Sequence, residues 1–135
     1  PAGVTQQERD PMTAFPPAAN LKLKRAYEPA EPSDGTRILV DRLWPRGVSK
    51  ERADLSEWMK DIAPSTALRE WFGHDPARWA EFQRRYRAEL QGHQVELDQI
   101  RALAQKGVVT LVYSARDELH NDAVVLRDVL LAGPT

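Results

Sequence analysis

The sequence predicts an α/β fold: a small, mostly parallel β-sheet with helices packed on it, in a single compact domain. Three observations carry this expectation. Ile38-Leu39-Val40 and the run from Val108 to Tyr113 are continuous apolar stretches rich in β-branched residues, the pattern of strands buried on both faces. Between them, apolar residues recur at helical spacing over a stretch long enough for the crossover that parallel strands require. Each run is followed at once by charged residues, at the strand end where open α/β sheets place their ligands.

The elements follow in chain order. Residues 1–20 contain Pro1, Pro11, Pro16 and Pro17 and no apolar period, which predicts a flexible tail. Met12 within it reads as an internal start, the first eleven residues then being an extension. Leu21 to Tyr27 alternates Leu21 and Leu23 with Lys22 and Lys24, a half-buried strand that opens a domain spanning 21–135. Pro29, Pro32 and Asp34-Gly35 then give a loop with turn chemistry before the core strand. Pro45 cannot donate to a sheet ladder and ends that strand near Trp44.

The stretch from Gly47 to Asp61 is the least legible, although Asp54-Leu-Ser-Glu57 fits a capping box and predicts a helix start. Ser65 after Pro64 predicts an N-cap for a helix carrying Leu68, Trp71 and Phe72, stopped by Gly73. Asp75-Pro76 predicts the next start, with Trp79, Phe82, Tyr86 and Leu90 facing the sheet. Gly92 interrupts this helix. A further face of Val95 or Leu97, Ile100, Leu103 and Ala104 runs to a cap at Gly107. A last helix, Asn121 to Leu131, buries Val124 or Val125, Leu126, Val129 and Leu130. No internal repeat and no second domain is apparent.

Composition narrows the function classes. The chain has 135 residues, 41% hydrophobic and 29% charged, the profile of a soluble globular domain. Its 19 basic and 20 acidic residues leave a net charge of -1, so no global field favours nucleic acid or an anionic membrane as partner. The absence of cysteine excludes disulfides, thiolate catalysis and cysteine-based metal centres. No apolar run approaches the roughly 20 residues of a membrane helix. The start also lacks a signal peptide's basic-then-apolar order. The expected location is therefore cytoplasmic. The histidines lack ligand spacing, and no glycine-rich phosphate loop, nucleophile elbow or dinucleotide fingerprint is present, so neither metal nor cofactor is expected.

Two polar clusters remain: Asp41, Arg42, Trp44 and Arg46 after the first core strand, and Arg116, Asp117, His120 and Asn121 after the second. If those strands are parallel neighbours, the clusters converge. Arg42, Arg46 and Arg116 would then bind an anion, and Asp41 and Asp117 would orient those arginines or act as bases. His120 would transfer a proton, and Trp44 would stack on a planar ligand. Asn121, at a helix start, would aim backbone N–H groups at the same spot. The structural reading of the same residues is ion pairs that tie loops down, together with helix caps. His74 and Asp75 form a third polar pair in which Asp75 has a capping role, and His93 lies on a surface-like helical stretch. Ser114 lacks the flanking glycines of a serine nucleophile.

Several motifs recur together in one order: Val40-Asp-Arg-Leu-Trp-Pro-Arg-Gly47, Ala63-Pro-Ser65, Leu68-Arg-Glu-Trp-Phe72 with His74-Asp75, Arg85-Tyr86 with Glu89-Leu90, and Val109-Thr-Leu-Val-Tyr113 with Asp117 and His120-Asn121. In these the chain, from about Leu21 to Leu131, resembles the YeaO-like branch of the domain of unknown function 488 family. The resemblance implies a compact α/β protein of bacterial, cytosolic type and brings no reaction with it. Broader relatives carry an Asp-x-Arg-x-x-Pro element, matched here by Asp41-Arg42 with Pro45. Their Cys-His-Arg element corresponds to His120-Asn121 without the cysteine. The favoured expectation is a pocket for a small anionic, phosphate-bearing or nucleotide-like ligand, catalytic or not. The alternative is a non-catalytic module for nucleic-acid ends, modified bases or a protein partner. A purely structural subunit would leave the two charged clusters unexplained.

Overall fold

The computed structural model describes residues 15–132. These form a four-stranded sheet of β1 (Leu21–Arg25), β2 (Thr36–Leu39), β3 (Glu57–Trp58) and β4 (Val109–Tyr113), in the order β1-β4-β2-β3. Every pairing is parallel. Five α-helices accompany them: α1 (Lys50–Ala53), α2 (Thr66–Phe72), α3 (Trp79–Leu90), α4 (Gln94–Lys106) and α5 (Asp122–Ala132). The expected α/β class is therefore the observed one. Most of the expected tail, Met12 included, lies outside the described residues. Its last part is held: Ala18–Asn20 form a 3-10 turn, and the Asn20 amide donates to the Ala104 carbonyl at 2.7 Å.

β4 and β2 are the two interior strands, and all five residues of β4 are buried. Side chains alternate between the sheet faces. Ile38, Val109 and Leu111 join the main core, with Phe82, Tyr86 and Leu90 of α3, Leu97 and Ile100 of α4, and Val125, Leu126 and Leu130 of α5. Leu39 and Val112 point the other way, onto Ala26 and the half-buried Trp44, Leu55 and Trp58. The helical face expected on α3 is the buried one, and the Tyr86 hydroxyl donates to the Ile62 carbonyl at 2.6 Å.

The start of β2 is locked to β1 and β4 by a buried ion cluster. Asp34 and Arg37, each 3% exposed, pair at 2.7 Å, and Lys24 reaches the same carboxylate at 3.1 Å. Arg37 also donates twice to the Ala53 carbonyl, at 3.0 and 2.8 Å, which ties α1 down. The Thr110 hydroxyl donates to the Asp34 carbonyl at 2.7 Å, adding β4 to the knot. Burial opposes ionisation of Asp34, but the Glu31 backbone N–H, Lys24 and Arg37 outweigh it and hold the carboxyl below its ordinary range. Gly35 is required beside it. Its φ is +63°, and an added Cβ would stand 2.2 Å from the Val108 carbonyl oxygen.

Local caps fall where the sequence places them around α2 and α3. Ser65 Oγ accepts from the Leu68 N–H at 3.1 Å, Gly73 ends α2 with φ 54°, and Asp75 Oδ1 accepts from the Ala77 N–H at 3.0 Å. The capping box at Asp54 does not start a helix. Asp54 instead ends α1 in the left-handed region, and Ser49 caps the start of α1 by accepting from the Arg52 N–H at 3.0 Å. The cause is tertiary. The Ser56 and Met59 N–H groups bond the Arg37 and Leu39 carbonyls at 2.8 and 2.9 Å, so the open edge of β2 draws the segment into the sheet as β3. Gly92 lies in a 3-10 turn, Gln91–His93, that separates α3 from α4. On α4, Leu97 is the buried alternative and Val95 the exposed one, while Leu103 stays partly exposed.

Candidate functional site

Parallel pairing of β2 with β4, in the register Leu39 to Val112, brings the loops after the two strands together. Asp41 meets Ser114 there. One carboxylate oxygen, Oδ2, accepts from both the Ser114 backbone N–H and the Ser114 hydroxyl, each at 2.8 Å. The Trp58 indole N–H donates to the Asp41 carbonyl at 2.8 Å, fixing that backbone from the β3 side. Asp122, the first residue of α5, hydrogen-bonds the Asp41 carboxylate, and its Oδ1 accepts from the Ala123 N–H at 2.9 Å. Burial first, and then the charge of Asp41, push the Asp122 carboxyl well above its ordinary range.

These groups line a cavity of about 310 Å³. Its polar lining includes Arg42, Arg46, Arg69 and His74 as well as Asp41, Ser114, Asn121 and Asp122. Trp44, Phe72 and Phe82 supply aromatic walls. Arg42 is partly committed to the scaffold, donating to the Pro64 and Ala63 carbonyls at 3.2 and 3.3 Å. Arg46 is presented by a tight turn closed from the Val48 N–H to the Pro45 carbonyl at 3.3 Å. Gly47 supplies the positive φ, 78°, that the third position of a type II turn needs. Arg69 projects from α2, and His74 follows Gly73 in the left-handed region with φ 56°. Two such residues in succession turn the chain so that His74 faces the cavity beside Phe72, their rings 5.9 Å apart. Arg46, Arg69 and His74 are exposed, and none is ion-paired among the described residues.

Of the expected site residues, the structure gathers Asp41, Arg42, Trp44, Arg46 and Asn121 on this cavity; Arg116, Asp117 and His120 are not in its lining. Trp44 is anchored by its indole N–H, which donates to the Val48 carbonyl at 2.6 Å, and it meets Trp58 edge-on at 5.4 Å. Asn121 is buried and bridges: its amide donates to the Asp117 carbonyl at 2.9 Å, and its Oδ1 accepts from the Val124 N–H at 3.1 Å. Asp117 accepts from the Leu119 and His120 N–H groups, and its Oδ2 lies 2.8 Å from His120 Nδ1. Those backbone donors first, with His120, hold the Asp117 carboxyl below its ordinary range. The His120 ring stands edge-on to Trp79 at 5.1 Å. This pair braces the loop that carries Asn121 and Asp122. Sequence reasoning missed Arg69, Ser114 and Asp122 as cavity residues and gave His74 only a minor place.

Comparison with known proteins gives the family. The model of the inactive DUF488-N3 subclade matches residues 20–133. The chain belongs to the DUF488 family. Within that family it is similar to the protein of Escherichia coli named "Uncharacterized protein YeaO", 49% identical over 111 residues, which are 82% of this chain and 96% of the relative. It is also similar to "Uncharacterized protein Rv3073c" of Mycobacterium tuberculosis, 42% identical over 110 residues, 82% of this chain and 92% of the relative. No solved structure matches. The YeaO-like membership expected from the motifs is thus the one found, and the motifs of this DUF488 chain that carry Asp41, Arg42 and Arg46 are those that build the cavity. No helix among the described residues is long and apolar enough to cross a membrane.

Proposed function

We propose that this chain binds a small anionic ligand, phosphate-bearing or nucleotide-like, in the cavity at the carboxyl ends of β2 and β4, and does not turn it over. One observation carries the reading: Arg46, Arg69 and His74 reach a single cavity without a counter-ion among the described residues. Guanidinium groups so placed are the usual receptors for phosphate and carboxylate. The volume, about 310 Å³, lies at the small end of ligand pockets, which suits a mononucleotide or something smaller. Trp44 offers an aromatic face, and Asp41 with Asp122 offers acceptor oxygens for the ligand's neutral polar groups. Absence of turnover is favoured by the description of the matching subclade as inactive. That His120 is not among the lining residues favours it too, since an acid–base group must come within hydrogen-bond reach of the reacting atom. The reading assigns the chain to the bacterial cytoplasm, where phosphorylated metabolites are held.

The test is calorimetric titration of nucleoside 5′-monophosphates and inorganic phosphate, followed by chromatography of the ligand after prolonged incubation. Expected are 1:1 binding, recovery of unchanged ligand, and an affinity loss of about tenfold or more in Arg46→Ala and Arg69→Ala, a charge-assisted hydrogen bond contributing about 1.5–3 kcal/mol. Thermal stability should stay within about 0.5 kcal/mol of wild type, because both side chains are exposed. No response to any phosphate compound would overturn the reading. Salt-dependent binding of oligonucleotides in preference to mononucleotides would replace it with a module for nucleic-acid ends.

A further inference from the structure

The cavity is graded by depth. Arg46, Arg69 and His74 are exposed at its mouth, whereas Asp41, Ser114 and Asp122 are half-buried and Asn121 is fully buried. Arg46, Arg69 and His74 therefore stand outside, and a floor of carboxyl, hydroxyl and amide groups lies inside beside the half-buried Arg42. A ligand anionic throughout, such as a dicarboxylate, would set its inner end against the Asp41 carboxylate. A ligand with an amine at the inner end would have to pass two guanidinium groups. The arrangement selects a molecule that is anionic at one end and neutral, with hydroxyl groups, at the other. Asp41 Oδ2 is already occupied by the two Ser114 donors, and Asp122 Oδ1 accepts from the Ala123 N–H, so the free capacity of the floor is that of the remaining carboxyl oxygens of Asp41 and Asp122, which are acceptors. Two neighbouring hydroxyls, each able to donate, match two such acceptors better than a single hydroxyl does.

We infer that the site takes a vicinal-diol phosphate of the ribose phosphate class, with the diol on Asp41 and Asp122 and the phosphate on Arg46, Arg69 and His74. This rests on the anion-pocket reading above and specifies its ligand. The carbon face of the sugar lies against Phe72 and Phe82, and Trp44 faces whatever is attached to the anomeric carbon.

The experiment is isothermal titration of the chain with ribose 5-phosphate, 2-deoxyribose 5-phosphate, ribose and inorganic phosphate. Expected is binding of ribose 5-phosphate at least tenfold tighter than the 2-deoxy sugar, since loss of one hydroxyl leaves a floor group without its partner. Ribose and inorganic phosphate should each bind more weakly still. In Asp41→Asn the ratio between the two sugar phosphates should fall towards one while phosphate-dependent binding persists. Should that variant fail to fold, Asp122→Ala, read the same way after a check by circular dichroism, takes its place. Equal affinity for the two sugar phosphates, or inorganic phosphate binding as tightly as ribose 5-phosphate, would overturn the diol assignment and leave the anion pocket standing. Failure of every phosphate compound to bind would overturn both.

Discussion

Asp122→Asn separates the electrostatics of the floor from its shape. The amide keeps a neutral donor towards Asp41 and nearly the same volume, but it cannot ionise. In the wild-type protein the folded-state carboxyl is held well above its ordinary value of 3.8, by burial and then by Asp41. Between the unfolded and folded values the native state binds one more proton than the unfolded chain. Stability from this group is therefore complete below the unfolded value and is lost as pH rises through the folded one. A single proton sets the steepest slope, about 1.4 kcal/mol of unfolding free energy per pH unit. Nearby, the Tyr86 hydroxyl is also pushed up, by burial and then by Asp122 and Asp41.

The assay is urea unfolding of wild type and Asp122→Asn in buffers from about pH 4.5 to 8, with the denaturant slope required to stay constant. The difference in stability should move in favour of Asn as pH rises, by no more than about 1.4 kcal/mol per unit, and then level off. Asp34 does not confound this window. Its folded value is lowered, so its contribution is present above the ordinary carboxyl value and is lost only as pH falls further. Parallel curves for the two proteins would refute the raised Asp122 carboxyl. So would a steady loss of stability in the Asn variant at every pH.

The amino-end lock makes a larger prediction. Asp34→Ala leaves Arg37 buried without its counter-ion and should cost about 3–5 kcal/mol in denaturant unfolding, whereas replacing Asp34 and Arg37 together by apolar residues should cost much less. His120→Ala removes the contacts to Asp117 and Trp79 and should lower stability by about 0.5–1.5 kcal/mol. Calorimetry should find its affinity for phosphate ligands unchanged; a large loss of affinity at preserved stability would return His120 to the site.

What the sequence made legible was what local pattern dictates. β2 and β4 announce themselves through the apolar runs Ile38-Leu39-Val40 and Val108 to Tyr113, although β2 itself begins at Thr36, ends at Leu39 and buries Arg37. Ser65, Gly73 and Asp75 do so because a cap depends on residues within one turn of it. β3 was illegible for the opposite reason: Glu57–Trp58 is a strand only because the edge of β2 offers it hydrogen bonds. Asp34 looked like a turn residue, and only its burial between Lys24 and Arg37 makes it the centre of a lock. Half of the site was readable in the motif after β2. Asp122 was hidden because its role arises from contact with Asp41 across the fold, and Ser114 because it was weighed as a nucleophile rather than as a donor. A signal for His74 was present in Gly73-His74, since a glycine stop followed by histidine permits two left-handed residues in a row.

The two ends of the sheet use the same residue types for opposite purposes, and the parallel topology is the reason. All four described strands run the same way, so every carboxyl end and every amino end is gathered on one side. At the start of β2, acid and base stand within contact distance and neutralise one another: Asp34 and Arg37, with Lys24 reaching them from β1, are consumed by the fold. At the carboxyl ends, Asp41 turns to Ser114 and Asp122 instead of to an arginine, and Arg46, Arg69 and His74 are left facing a cavity. Had Asp41 paired with Arg46, the same composition would have made a second lock and no receptor. Substitutions at the amino ends should accordingly register in unfolding free energy, and those at the mouth of the cavity in ligand affinity, with Asp122 the position where the two readouts meet.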